Sequence, residues 1–201
     1  GSDKIVDCKG KIITSGFIDI RANFRQPGSG YTETMSSGAM AAMAGGYTSV
    51  CLIPDEDSPI DTPEAIQYIV DASKELPINI FPIGSMSVKH EGKKLAEFGL
   101  MLKKGAVAFS NGLTCIDNSQ FLQYALEYSK MYGVRIINQP QDSGICKNGV
   151  VNEGFISTKL GLKGIPDIAE SIIIFRDLMV AQNIEGKIHI PLVSTKQSID
   201  I

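Results

Sequence analysis

Histidine is scarce in this chain: 201 residues hold two, His90 and His189, so little imidazole is on hand for a metal centre. Cysteine is sparse and unpaired. Cys8, Cys51, Cys115 and Cys146 stand singly with no C-x-x-C spacing, and with no secretory signal the thiols are expected to be reduced. No run approaches the ~18 uninterrupted apolar residues of a membrane span, and no apolar signal core opens the chain, which predicts a cytoplasmic protein without membrane contact. Neither sign of charge dominates. A net charge of −3 gives no general pull toward nucleic acid or anionic membrane. Internal repeats and low-complexity linkers are absent too. No G-x-x-x-x-G-K-[ST] cradle occurs, and Gly45-Gly46 precedes an apolar run where a dinucleotide fingerprint should follow one.

What is present suits a soluble globular protein: 43% hydrophobic residues, 20% charged, and 20 glycines. Gly1-Ser2 reads as a tag remnant. Apolar, β-branched runs predict strands at Phe17–Ile20, Thr48–Ile53, Ile78–Ile83, Ala106–Phe109, Arg135–Asn138 and Lys187–Val193. Helical patterns fall between them, at Glu33–Ala44, from Asp61-Thr-Pro-Glu64 onward, at Leu95–Lys104, Asn118–Tyr132 and Pro166–Gln182. Strand and helix alternate about every 30 residues, the mark of parallel α/β architecture. Six strands fit an open doubly wound sheet, or a (β/α)₈ barrel that is incomplete; the pattern alone does not choose.

The first predicted strand runs through Gly16-Phe-Ile-Asp-Ile-Arg-Ala-Asn-Phe-Arg25-Gln-Pro-Gly28. It resembles the D-x-H-x-H-x-R-x-P-G opening of the cyclic amidohydrolases, the group that holds dihydroorotase, allantoinase and hydantoinase. Further matches follow in family order. They are Ala44-Gly-Gly-Tyr-Thr48, Pro59-Ile-Asp-Thr-Pro63, Gly105-Ala-Val-Ala-Phe-Ser110, Asn152-Glu-Gly154, Leu160-Gly-Leu-Lys-Gly-Ile-Pro166, Ala169-Glu170, Arg176-Asp177 and Val193-Ser-Thr-Lys196. The resemblance is strongest to bacterial dihydroorotases that associate with aspartate carbamoyltransferase. It implies a metal-dependent TIM barrel, here of about six βα units (residues 12–201). Most of the family's accessory β-sandwich is absent, with residues 1–11 as tag and remnant, Asp3–Lys11 being a possible last strand.

In the family, two histidines of the opening strand bind zinc, and their i, i+2 spacing puts both on one face. Here those positions are Arg21 and Asn23. A guanidinium offers only donors and brings a positive charge to where a cation would sit; an amide oxygen is a feeble zinc ligand. Three other positions match family ligands without carrying them: Asn111 in Phe109-Ser-Asn-Gly112, Gln139 in Asn138-Gln-Pro-Gln-Asp142, and Leu192 in His189-Ile-Pro-Leu-Val193. His189, at an odd offset from Leu192, is expected on the opposite face, under the helices or at the barrel's lower rim. His90, in Val88-Lys-His-Glu-Gly92, reads as a solvated loop histidine or a contact at the pocket mouth. Arg25 matches the arginine that grips the substrate carboxylate in the family, but Asp55 replaces the partner asparagine. Two carboxylates at 4 Å repel by roughly 4 kcal/mol at an effective dielectric of ~20. The alternatives are an internal ion pair of Asp55 with Arg21 or Arg25, retained anion binding, or neither. Leu160–Pro166 reads as a fixed loop, Arg176 and Asp177 as helix-surface or interhelix contacts, and the methionines of Met35–Met43 as core packing.

Without a metal there is no lowered water pKa and no Lewis acid to polarise an amide. The expectation is therefore a dihydroorotase-like pseudo-enzyme with no catalytic residues, no bound metal and no cofactor. It would act as a structural or regulatory partner, by family resemblance of aspartate carbamoyltransferase, in a homo- or hetero-oligomer. Two alternatives stand beside it: an active hydrolase with displaced ligands such as Asp19 and Asp142, and a carboxylate- or ureide-binding sensor using Arg21 and Arg25.

Overall fold

The computed structural model describes residues 7–28, 30–55 and 57–201. Residues 1–6, which include the first four residues of the expected sandwich strand, lie outside them. Residues 7–11 form a turn in which the amide of Lys11 bonds the carbonyl of Cys8 at 2.9 Å.

The strands are β1 (Phe17–Ala22), β2 (Tyr47–Leu52), β3 (Asn79–Pro82), β4 (Gly84–Ser85), β5 (Ala108–Ser110), β6 (Arg135–Ile137), β7 (Val151–Asn152), β8 (Gly164–Ile165) and β9 (Ile188–His189). One sheet has the order β1-β2-β3 and a second β4-β5-β6-β9, every pairing parallel. β3 and β4 are one strand interrupted at Ile83. The amide of Ile83 bonds the carbonyl of Leu52 (2.8 Å), and Val107 bonds that of Pro82 (3.0 Å), so the two sheets join into a single arc. Six strands thus follow each other in chain order with no reversal. A doubly wound sheet must reverse its order at a switch point, so the sequential arc is six βα units of a barrel.

The side-chain alternation builds two apolar layers. Val50, Leu52, Ile80, Phe109 and Ile136 face outward against helix residues such as Ile66, Met101 and Leu122. Ile53, Ile83, Ala108 and Ile137 pack inside the arc with Cys51. Phe98 is stacked on Phe109 and Tyr128, with ring centroids 3.8 and 4.8 Å apart.

The helices begin where side chains satisfy their first amides. α1 (Met35–Ala44) starts after Thr34, whose hydroxyl accepts from Ser37 N at 3.1 Å. α2 (Pro63–Ala72) is capped by Thr62 and α4 (Ser119–Lys130) by Asn118. α3 (Phe98–Lys103), α5 (Phe155–Leu160), α6 (Ile168–Ile184) and α7 (Lys196–Asp200) complete the set. Among the described residues no helix is long and apolar enough to cross a membrane.

Two differences from the sequence pattern have plain causes. The last predicted strand, Lys187–Val193, shrinks to Ile188–His189 because Pro191 has no N–H to continue the ladder. Leu160–Pro166 is more than a loop. It ends α5 at Gly161 and supplies β8, which pairs in parallel with β7. A Cβ on Gly164 would lie 2.6 Å from Glu153 Cα, so only glycine permits that approach.

Two polar clamps fix α6. Arg176 and Asp177 are not surface contacts: Asp177 is fully buried. Its Oδ1 accepts from Arg176 Nε (2.8 Å) and Nη2 (2.6 Å), and its Oδ2 accepts from Asn138 Nδ2 (2.8 Å). Arg176 also donates to the carbonyls of Ile116 and Asp117, and Asn138 Oδ1 accepts from Ile116 N. The loop after β5 is thereby bound to the end of β6 and to α6. Burial pushes the Asp177 carboxyl up, with Arg176 and Asn138 opposing. Asp177→Ala leaves the Asn138 amide and the Arg176 Nε without their buried acceptor, so unfolding in urea should show a loss of about 3 kcal/mol.

The second clamp is Glu170, whose carboxylate accepts from Ser194 N (2.9 Å), Thr195 N (3.0 Å) and the Ser194 hydroxyl at the start of α7. Burial opposes its ionisation, but hydrogen bonds from Ser194, Ser198 and the two amides outweigh that and hold the carboxyl below its usual range. A depressed folded-state pKa contributes stability that is present above the ordinary carboxylate range and lost as pH falls through the lowered value. Protection from hydrogen exchange at Ser194 and Thr195, taken relative to the intrinsic rate at each pH, should therefore fall only below that range, and Glu170→Gln should abolish this pH dependence.

Candidate functional site

Parallel strands bring their C-terminal ends to one rim, the place where such barrels assemble sites. Arg21 is in β1, Asn23 and Arg25 follow it, and Asp55 follows β2. Asn111, Gln139 and Leu192 follow β5, β6 and β9. The sequence-predicted positions therefore share one end of the arc, but they form three separate groups.

The first group spans the arc. Arg21 Nη2 donates to Gln139 Oε1 at 2.7 Å, joining β1 to the segment after β6 across 118 residues of chain. Burial lowers the Arg21 pKa, while the Asp19 carboxylate opposes that. A guanidinium nonetheless remains charged in a protein. Asp19 Oδ1 accepts the Arg21 amide at 2.8 Å. Asp19 also adds to the effect of burial in raising the Cys51 thiol.

The second group is built on Asn23, whose carboxamide is engaged at both ends. Oδ1 accepts Arg25 N at 3.0 Å, and Nδ2 donates to Asp55 Oδ2 at 3.0 Å. Arg25 Nη1 stands 3.5 Å from the same oxygen. Of the ion pairs the sequence allowed, Arg25–Asp55 is present, whereas Arg21 takes Gln139.

Asn111 is elsewhere. It is fully buried, accepts Met86 N (3.1 Å) and Ser87 N (3.2 Å), and donates to Ser87 Oγ (2.8 Å). Its amide locks the end of the third barrel strand, a task that needs donor and acceptor together. Leu192 is 46% exposed and lines a cleft of ≈ 240 Å³ with Gln139, Asn152, Ile165 and Glu170.

The histidines behave differently from their loop and face assignments. His90 is half-buried, its Nε2 2.7 Å from the Oγ of buried Ser85, so it is not a solvated loop residue. His189 pairs with Ile137 in the ladder and shares its inner side. It lines a cavity of ≈ 380 Å³ with Ile20, Cys51, Ile83 and Arg135, at the expected lower rim but inside the arc. Pro191 interrupts the strand between His189 and Leu192, so simple alternation does not relate them. Burial, then Arg135, lowers the His189 pKa. Burial pushes the Cys115 thiol up to about 12, which leaves it a poor nucleophile.

The zinc that the family resemblance implies finds no matching donors here. Arg21 has none, Gln139 Oε1 accepts from Arg21, Asn23 is held at both ends, and Leu192 is alkyl. Among the described residues no three His, Cys, Asp or Glu side chains converge to hold a metal ion. Asp142, one possible displaced ligand, caps its own loop by accepting Ile145 N at 2.8 Å. Residue types carry no signal for the Ser85–His90 contact. The Asn138–Asp177–Arg176 clamp was half visible, as one matched dipeptide without its partners.

Comparison with known proteins agrees with this architecture. A family model described as dihydro-orotase-like matches residues 10–198. The dihydroorotase of Caldicellulosiruptor saccharolyticus is 37% identical over 196 residues, covering 97% of this chain and 46% of that protein. That of Trichlorobacter lovleyi is 40% identical over 197 residues, covering 98% and 46%. That of Endomicrobium trichonymphae is 40% identical over 201 residues, covering 100% and 48%. The chain spans about half the length of the curated relatives it matches. A solved D-hydantoinase superposes with a TM-score of 0.67 over 92% of this chain and 43% of its own, at 16% identity, a likeness of fold alone. With the sequential parallel arc, the family match over nearly its whole length and these relatives, the chain belongs to the dihydroorotase-like family.

Proposed function

We propose that this chain is a dihydroorotase-family domain in which metal-dependent hydrolysis has been lost and the former metal site is filled by an internal polar network. The observation that carries this reading is the 2.7 Å bond from Arg21 to Gln139. A fixed positive charge and its acceptor occupy two positions that hold imidazoles in the family, so a divalent cation would have to displace both against charge repulsion. Asn23, Asp55 and Arg25 satisfy one another beside it. No hydroxide at neutral pH and no polarised amide follow from such a set.

The role that fits is a structural or regulatory one in pyrimidine biosynthesis. Aspartate carbamoyltransferase is the partner suggested by kinship with transferase-associated dihydroorotases, an argument of family rather than of site geometry. Elemental analysis of the full-length protein is expected to find zinc far below one equivalent, with dihydroorotate turnover at background. Stoichiometric zinc together with turnover contradicts the proposal. Repeated co-purification without any transferase removes the partner assignment and leaves the lost-metal reading standing.

A further inference from the structure

α6 is apolar on both of its faces. Ala169, Ile173, Ile174 and Ala181 are buried in the protein. Ile168, Ile172, Phe175 and Met179 point the other way, each between 44% and 54% exposed. The charged residues of the helix do not reach that outer face. Glu170 is engaged by Ser194 and Thr195, and Arg176 and Asp177 by each other and by the groups they clamp. Among the described residues of α6, none that is exposed carries a charge. The neighbouring helices are built otherwise: Glu64 and Asp71 on α2, and Glu127 and Lys130 on α4, are all exposed. A helix that is apolar all round belongs in an interior.

The helix ring does not provide that interior. A helix of such a barrel packs on the sheet and on its two neighbours, and α6 already has β9, α4 and α7. Its outer face is left open.

The spacing on that face fits a second copy. From Ile168 the steps to Ile172, Phe175 and Met179 are four, three and four residues, the same from either end. An antiparallel α6 related by a two-fold axis at the strip's centre sets Ile168 against the partner's Met179 and Ile172 against the partner's Phe175. No charge on either strip repels the other. Four large side chains about half exposed offer on the order of 400 Å² of apolar surface, the size at which exposed patches mark contact sites. A standard interface buries about 800 Å² per partner, with an apolar core inside a polar rim. The strip is large enough for such a core, and exposed Gln182 and Asn183 continue it with uncharged polar groups.

We infer that the outer face of α6 is the centre of a two-fold interface between two copies of this chain. This does not rest on the lost-metal reading.

Sedimentation equilibrium of the full-length protein at micromolar concentration should give at least twice the chain mass. Phe175→Glu places two carboxylates near the axis and should weaken association at least about a hundredfold, with the circular dichroism spectrum unchanged. A monomeric wild type overturns the inference, whether another part of the chain or a different protein covers the strip. A variant that associates as strongly as the wild type overturns it too. Phe175→Gln, which adds no charge, gives the same reading if the glutamate variant does not fold. Phe175→Cys is a second measurement: oxidation should yield a covalent dimer, because two thiols meet near the axis. Tyr124→Cys, at an exposed site on α4, should give none, and equal cross-linking at the two sites contradicts the assignment.

Discussion

A guanidinium cannot shed its proton, so an arginine that points into a barrel must find an acceptor there. Arg21 is that arginine, and it takes its acceptor from the far side of the arc. Gln139 supplies a carbonyl oxygen across the arc, and the Asp19 carboxylate supplies a nearby negative charge. Arg21 is part-buried, so its guanidinium loses some of its water and the bond to Gln139 makes up part of that loss. The replacement at one position therefore constrains the other.

The polar residues of this rim serve as cross-links. Hydrogen bonds tie the strand ends together pair by pair. Arg21–Gln139 joins the first strand to the fifth of the six, and Asn23–Asp55 joins the first to the second. Asn111 holds the third to the fourth, and Asn138–Asp177–Arg176 secures the loop after the fourth. Such bonds are directional and short-ranged, so they specify this arrangement more than they stabilise it.

Much of the fold was legible because parallel strands buried on both faces read as apolar runs, and proline and glycine marked their limits. Barrel and open sheet could not be told apart by pattern. The difference lies in which strand hydrogen-bonds to which, and only the join of β3 and β4 through Ile83 and Val107 reveals it. The short elements β7, α5 and β8 span too few residues for any periodicity to register. At the site, residue types allowed the Arg25–Asp55 pair as one of the alternatives. They did not reveal that Asn111 turns toward Ser87, or that His189 lies inside the arc, because both depend on where a strand breaks.

Whether a guanidinium or a divalent cation holds this rim together can be seen directly. Crystals of the protein grown with excess zinc and measured at the zinc edge should give no anomalous peak within coordination distance, about 2–2.3 Å, of the Asn23 or Gln139 oxygens. Arg21 should remain in contact with Gln139. A strong peak there, with Arg21 swung away, would contradict the account.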